Sequence, residues 1–162
     1  MNQFLVDWCI RFLENRDTIR REIVSVGERK ETSFSINYKN TTKQFLIAPK
    51  LDAEVLKMIG EEPSGFFILN NVYNISFIIT HWQRLSSKKN LMLYFINPFS
   101  NQDKAWAINP YVHNMVCDPD SLELGIKAMA EMVEETSQEI LEKQLEGQDK
   151  QLTNKSARQR HD

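Results

Sequence analysis

The 162-residue chain predicts an α+β fold: a mainly antiparallel sheet packed by an N-terminal helix and a long C-terminal helix, in the order α-ββ-α-βββ(β)-α. Three observations carry that expectation. Apolar residues recur at three- and four-residue spacing near both ends, at Phe4, Leu5, Trp8, Cys9, Phe12 and Leu13 and again at Leu122, Ile126, Met129 and Val133. Between the ends, apolar and polar residues alternate at period two. The aromatic and β-branched weight lies between Phe66 and Val116, so the polar flanks read as coverings for that block.

Taken in order, residues 2–27 predict one amphipathic helix interrupted near Asn15-Arg16-Asp17 and stopped at Gly27. Phe34, Ile36 and Tyr38 alternate with Ser33, Ser35, Asn37 and Lys39, the pattern of a strand buried on one side. Asn40-Thr41-Thr42 turns the chain into Phe45-Leu46-Ile47-Ala48, which Pro49 closes, so the two strands form an antiparallel hairpin. Asp52 caps a two-turn helix, Leu51 and Leu56 supply its hydrophobic staple, and Gly60 is its exit.

After the loop at 61–65 come Phe66 to Leu69 and an alternating run from Tyr73 to Trp82, read as strands. Leu91 to Ile96 is apolar on both faces and predicts a central strand. Tyr73 to Ile79 and Leu91 to Ile96 are the expected interior. Lys104 to Ile108 is a further strand paired with the one before it. Asp118-Pro119, a cap followed by proline at the first helical position, opens the last helix, whose seam runs from Leu122 to Ile140. Residues 1–147 form one domain, and the polar, aperiodic stretch 148–162 is a disordered tail.

Composition excludes more than it selects. The net charge of −2 exerts no overall pull toward nucleic acid or a membrane surface. Its distribution is uneven: residues 11–50 carry nine basic and five acidic residues, and residues 118–146 carry two basic and nine acidic. Pairing of the two ends across one sheet is the simpler reading of that polarity, and orientation of a partner is the other. No signal peptide and no apolar run long enough to span a membrane is present, so a cytoplasmic protein without membrane contact is expected. Two cysteines, Cys9 and Cys117, make neither a disulfide framework nor a zinc knuckle.

Chemistry-bearing groups are sparse. The catalytic candidates are Cys117 with His113, on a stretch read as a loop beside a helix start, and His81 as a second imidazole. Two histidines, one cysteine, Asp118 and Asp120 lack the spacing of a metal site, and no glycine loop cradles phosphate, so neither a metal nor a cofactor is expected. The unit Ile-Asn-Pro-aromatic occurs twice, at Ile96-Asn97-Pro98-Phe99 and Ile108-Asn109-Pro110-Tyr111, where asparagine before proline starts a turn. Trp82, Phe99, Trp106 and Tyr111 fall at predicted strand ends and turns and are the candidate binding residues. Base stacking on them would require a basic rim, and only Arg84, Lys88, Lys89 and Lys104 are near in sequence.

The order of elements, strands enclosed by an N-terminal and a C-terminal helix, resembles that of the small acidic chaperones of bacterial secretion systems. The resemblance implies a partner-binding fold and, resting on no residue motif, transfers no site. The functional expectation is a non-enzymatic protein-interaction module: an adaptor, a chaperone-like protein or an assembly subunit that binds another protein, itself, or both. The alternatives are a Cys/His-dependent enzyme built on Cys117 with His113 or His81, and an accessory nucleic-acid-binding protein, with nucleic acid the less expected partner.

Overall fold

The structure, a computed structural model, describes the backbone of residues 1–159 and the side chains of residues 1–155. It is an α+β fold around a six-stranded mixed sheet in which the strands follow one another in sequence order. The strands are β1 (Ile23–Arg29), β2 (Ser33–Tyr38), β3 (Thr42–Ile47), β4 (Ser64–Leu69), β5 (Leu91–Ile96) and β6 (Ala105–Ile108). The helices are α1 (Asn2–Arg16), α2 (Ala53–Met58), α3 (Val72–Thr80), α4 (Trp82–Ser86), α5 (Pro110–Val116), α6 (Leu122–Ala130) and α7 (Gln138–Gln159), with a 3-10 turn at Pro119–Ser121.

The β1–β2, β2–β3 and β5–β6 pairs are antiparallel, whereas β3–β4 and β4–β5 are parallel. Parallel neighbours require crossovers, supplied by α2 and by α3 with α4. Both crossovers lie on one face: Leu56 of α2, Ile75 and Ile78 of α3, and Trp82 and Leu85 of α4 share a core with Phe66, Ile68, Leu93 and Phe95. Ile126 of α6 and Val133 join them. The opposite face is covered by Leu5, Val6, Cys9, Ile10 and Leu13 of α1 and by Leu141 of α7, against Phe34, Phe45, Phe67, Tyr94 and Ile96. The central strands β4 and β5 thus send alternate side chains into two cores, as the apolar run at 91–96 predicts. Gly65 is required where it stands, because a Cβ there would meet the Phe45 ring at 2.6 Å.

Four expected elements are corrected. The helix over 2–27 stops at Arg16 and the chain re-enters as strand β1. Asp17 makes the turn: its two carboxylate oxygens accept from the amides of Glu22 and Ile23, each at 2.9 Å, and Arg21 adopts a left-handed φ of 49°. Ile19, within the range expected as helix, is 93% exposed. Gly27 stops no helix; it lies in β1, with the Ser35 hydroxyl filling the space its Cβ would need.

The run Tyr73 to Trp82 is helical. Asn71 caps α3 by accepting from Asn74 N at 2.9 Å, and the buried residues Ile75, Ile78, Trp82 and Leu85 fall three, four and three apart. Tyr73, assigned to the interior, is half exposed. The stretch His113 to Asp118, expected as a loop, contains the end of α5, because Asn109-Pro110 is a helix cap with proline at the first position rather than a turn. Asn97-Pro98 does remain a turn, with Asn97 Oδ1 accepting from Phe99 N.

The long C-terminal helix is divided by 131–137. Ile126 and Val133 belong to one core and Leu141 to the other, so the chain crosses the sheet between them, which one straight helix cannot do. Of the tail expected over 148–162, residues 148–159 continue α7, no side chain from Glu146 to Lys155 is buried, and residues 160–162 lie outside the described residues.

Candidate functional site

At the carboxyl ends of the three parallel strands, where open α/β sheets hold their ligands, the chain has placed its own residues. Asn70, at the end of β4, is 1% exposed. Its Oδ1 accepts from Trp106 Nε1 at 2.8 Å, its Nδ2 donates to the carbonyls of Ala130 and Val133 at 2.9 Å, and its carbonyl accepts from Thr136 N. Asn71 Nδ2 donates to Thr136 O at 3.0 Å and Asn97 Nδ2 to Glu134 O at 3.0 Å. Three asparagine amides therefore tie segment 131–137 across the strand ends. Asn74, fully buried, accepts from Leu51 N and donates to Pro49 O and Leu69 O, fixing the exit of β3 to the exit of β4. Asn70 and Asn74 thus use both amide hydrogens and the side-chain oxygen, and both crossovers sit on one face, so no crevice opens between opposed helices.

Outside this clasp the surface is indented. Val72 and Tyr73, on the first turn of α3, are 68% and 50% exposed. They stand between two hollows that share Asn71, Val72 and Glu135. One, of about 690 Å³, lies between Pro49, Lys50, Tyr73 and the start of α7 at Gln138, Glu139 and Glu142. The other, of about 440 Å³, runs between α3 and α6 over Ile75, Ala130 and Val133, with Glu131 and Lys127 beside it. Glu135 Oε1 accepts from Val72 N at 2.8 Å, the usual place for an anion at a helix N-terminus. Lys50 Nζ stands 4.7 Å from the centre of the Tyr73 ring.

The charge polarity of the chain is not spent internally. The ion pairs among the described residues are Arg29–Asp7, Lys57–Glu54, Lys88–Glu61 and Lys127–Glu123. None joins the basic residues of 11–50 to the acidic residues of 118–146, contrary to the simpler sequence expectation.

The aromatic candidates do not form one platform. Trp82 and Trp106 are each 7% exposed. Trp82 donates to Asn114 Oδ1 at 3.0 Å, and Trp106 stacks on Phe95 with centroids 4.4 Å apart. Phe99 is half-buried on the other face, stacked on Phe4 of α1, and Tyr111 is half-buried under Lys89. Basic residues near them in sequence are engaged elsewhere: Arg84 bonds Leu56 O, Lys88 pairs with Glu61, and Lys104 donates to Pro98 O and Ser100 O. Tyr73 and Val72, the exposed pair, are hidden in the sequence because a strand reading turns Tyr73 inward; the signal that finds them is Asn71 as a helix cap.

Cys117 and His113 do meet, with Sγ 3.7 Å from Nδ1, beside a hollow of about 520 Å³ lined by Trp82, Asn114, Asp118 and Leu122. Cys117 caps the carboxyl end of α5, and Asp118 follows it. The nearby amides of Asp120 and Ser121 are taken by Asp118 Oδ1 and Asp118 O, so neither is free for an oxyanion. Among the described residues no side chain bonds the second His113 nitrogen. His81 lies against the Phe77 ring instead, at 4.4 Å. Burial pushes the Cys9 thiol well up and raises Tyr94, and burial followed by the charges of Tyr94, Asp17 and Glu22 carries Tyr38 to about 12. All three pack under α1, on the face opposite the His113–Cys117 hollow.

No cluster of three or more potential metal ligands occurs among the described residues, and no described helix is long and apolar enough to cross a membrane. No protein-family model, curated protein or solved structure matches the chain.

Proposed function

We propose that the chain is a non-enzymatic protein-interaction module, an adaptor, chaperone-like protein or assembly subunit, that docks its partner on the surface around Val72 and Tyr73. The observation that carries this reading is the exposed aliphatic–aromatic pair between two hollows, seated on a base that the asparagine clasp holds rigid. A tyrosine in that setting offers a large amphipathic contact at little entropic cost, the usual make-up of an interface anchor. A second reading, thiol chemistry at Cys117, is favoured by the 3.7 Å contact with His113.

One experiment separates them. The tagged chain and its Tyr73→Ala and Cys117→Ala variants are compared for the partner recovered from the native host and for restoration of function in a deletion strain. Truncating an interface anchor costs about 2 kcal/mol, so Tyr73→Ala weakens partner affinity about 30-fold while Cys117→Ala leaves recovery and function intact. Loss of function in a folded Cys117→Ala variant, with Tyr73→Ala active, assigns the protein to the thiol chemistry instead.

A further inference from the structure

We infer that the partner segment received at Val72–Tyr73 is basic, carrying a lysine or arginine beside an apolar side chain, the cation against Tyr73 and the apolar group between α3 and α6. This rests on the docking reading above and adds the chemistry of the occupant. Three features of the surface specify it. Glu131, Glu135, Glu139 and Glu142 line the two hollows, and none of them is in an ion pair among the described residues. Of the two lysines there, Lys127 is already paired with Glu123 at 2.7 Å, which leaves Lys50 alone against four carboxylates.

Lys50 shows in addition what the Tyr73 ring accepts: its ammonium lies over the ring without a carboxylate partner, and the partner's cation takes that place, with Glu139 and Glu142 lining the same hollow. The smaller hollow differs in kind. Its lining is mostly apolar, with Val72, Ile75, Ala130 and Val133, and suits an aliphatic anchor. Because Val72 and Glu135 belong to both, one short segment spans them. Charges of one sign on the receiving surface speed encounter with an oppositely charged partner and make binding salt-dependent.

The test uses the full-length chain and three fluorescein-labelled decapeptides with the same leucines and alanines and with lysine, glutamate or glutamine at the polar positions, followed by anisotropy. The lysine peptide binds, weakens at least about tenfold as salt rises from about 0.05 to 0.5 M, and binds about fivefold more weakly to Glu139→Gln/Glu142→Gln. Both glutamates are exposed, so this variant retains the wild-type melting temperature. Equal binding of the glutamate or glutamine peptide, or undiminished binding to the double variant, overturns the basic occupant. The docking reading still stands in that case if Tyr73→Ala weakens partner affinity as above. A concentration-dependent dimer in sedimentation, lost in the double variant and accompanied by no peptide binding, makes a second copy the occupant and likewise overturns the inference.

Discussion

Asn74 shows what a single buried amide accomplishes here. It satisfies one backbone amide and two backbone carbonyls from two different strand exits, and no apolar side chain of similar size does so. Asn74→Leu leaves those groups buried without partners, at about 1–3 kcal/mol each, less what local water recovers. Denaturant unfolding should register a loss of about 3 kcal/mol or more, against a change within about 0.5 kcal/mol for the exposed control Asn154→Ala. Asparagines at 70, 71 and 74 register in the sequence only as interruptions of an apolar run. Asn70 and Asn71 act on carbonyls 63 and 65 residues away and Asn74 on Pro49, 25 residues away, to which no local pattern refers. Where the partner is local the residue is legible: Asp52 accepts from Val55 N at 3.0 Å, as its position before a short apolar helix predicts.

At the scale of elements, β2 and β5 are legible because they declare themselves through period two or its absence, although Ser35 on the polar face of β2 is itself buried beside Gly27. The run from Tyr73 to Ile79 misleads for a physical reason: isoleucines and aromatics favour strands, and a helix wedged between sheet and α6 is apolar over so much of its surface that a period of two is also visible. Tertiary context decides, since a parallel β4–β5 pair needs a crossover and residues 70–90 are the material between the two strands. The same scale divides the last two helices. α7 meets the domain through Leu141, buried completely, whereas no side chain from Glu146 to Lys155 is buried. Removing residues 148–162 therefore leaves the unfolding free energy within about 0.5 kcal/mol of the full chain, while Leu141→Ala lowers it by about 2–5 kcal/mol. Chemical denaturation of the two variants checks both figures.

For the whole molecule, strand order closes one usual place for a ligand. A sheet whose crossovers all fall on one face has no switch point, and the strand ends that elsewhere carry ligands are closed by 131–137. What remains open is the outside: an exposed Val72–Tyr73 step, hollows on either side of it, and acidic residues of 118–146 left without the basic partners of 11–50. The polarity itself was legible from composition, but its location was not, because charge counts along a chain carry no information on which helix turns its carboxylates toward which hollow. On our proposal, binding happens at this surface. Hydrogen–deuterium exchange of the chain with and without its recovered partner measures that directly. Binding here slows exchange over residues 71–76 and 131–142; slowing confined to residues 110–122, around Cys117 and His113, puts the partner elsewhere and rules the proposal out.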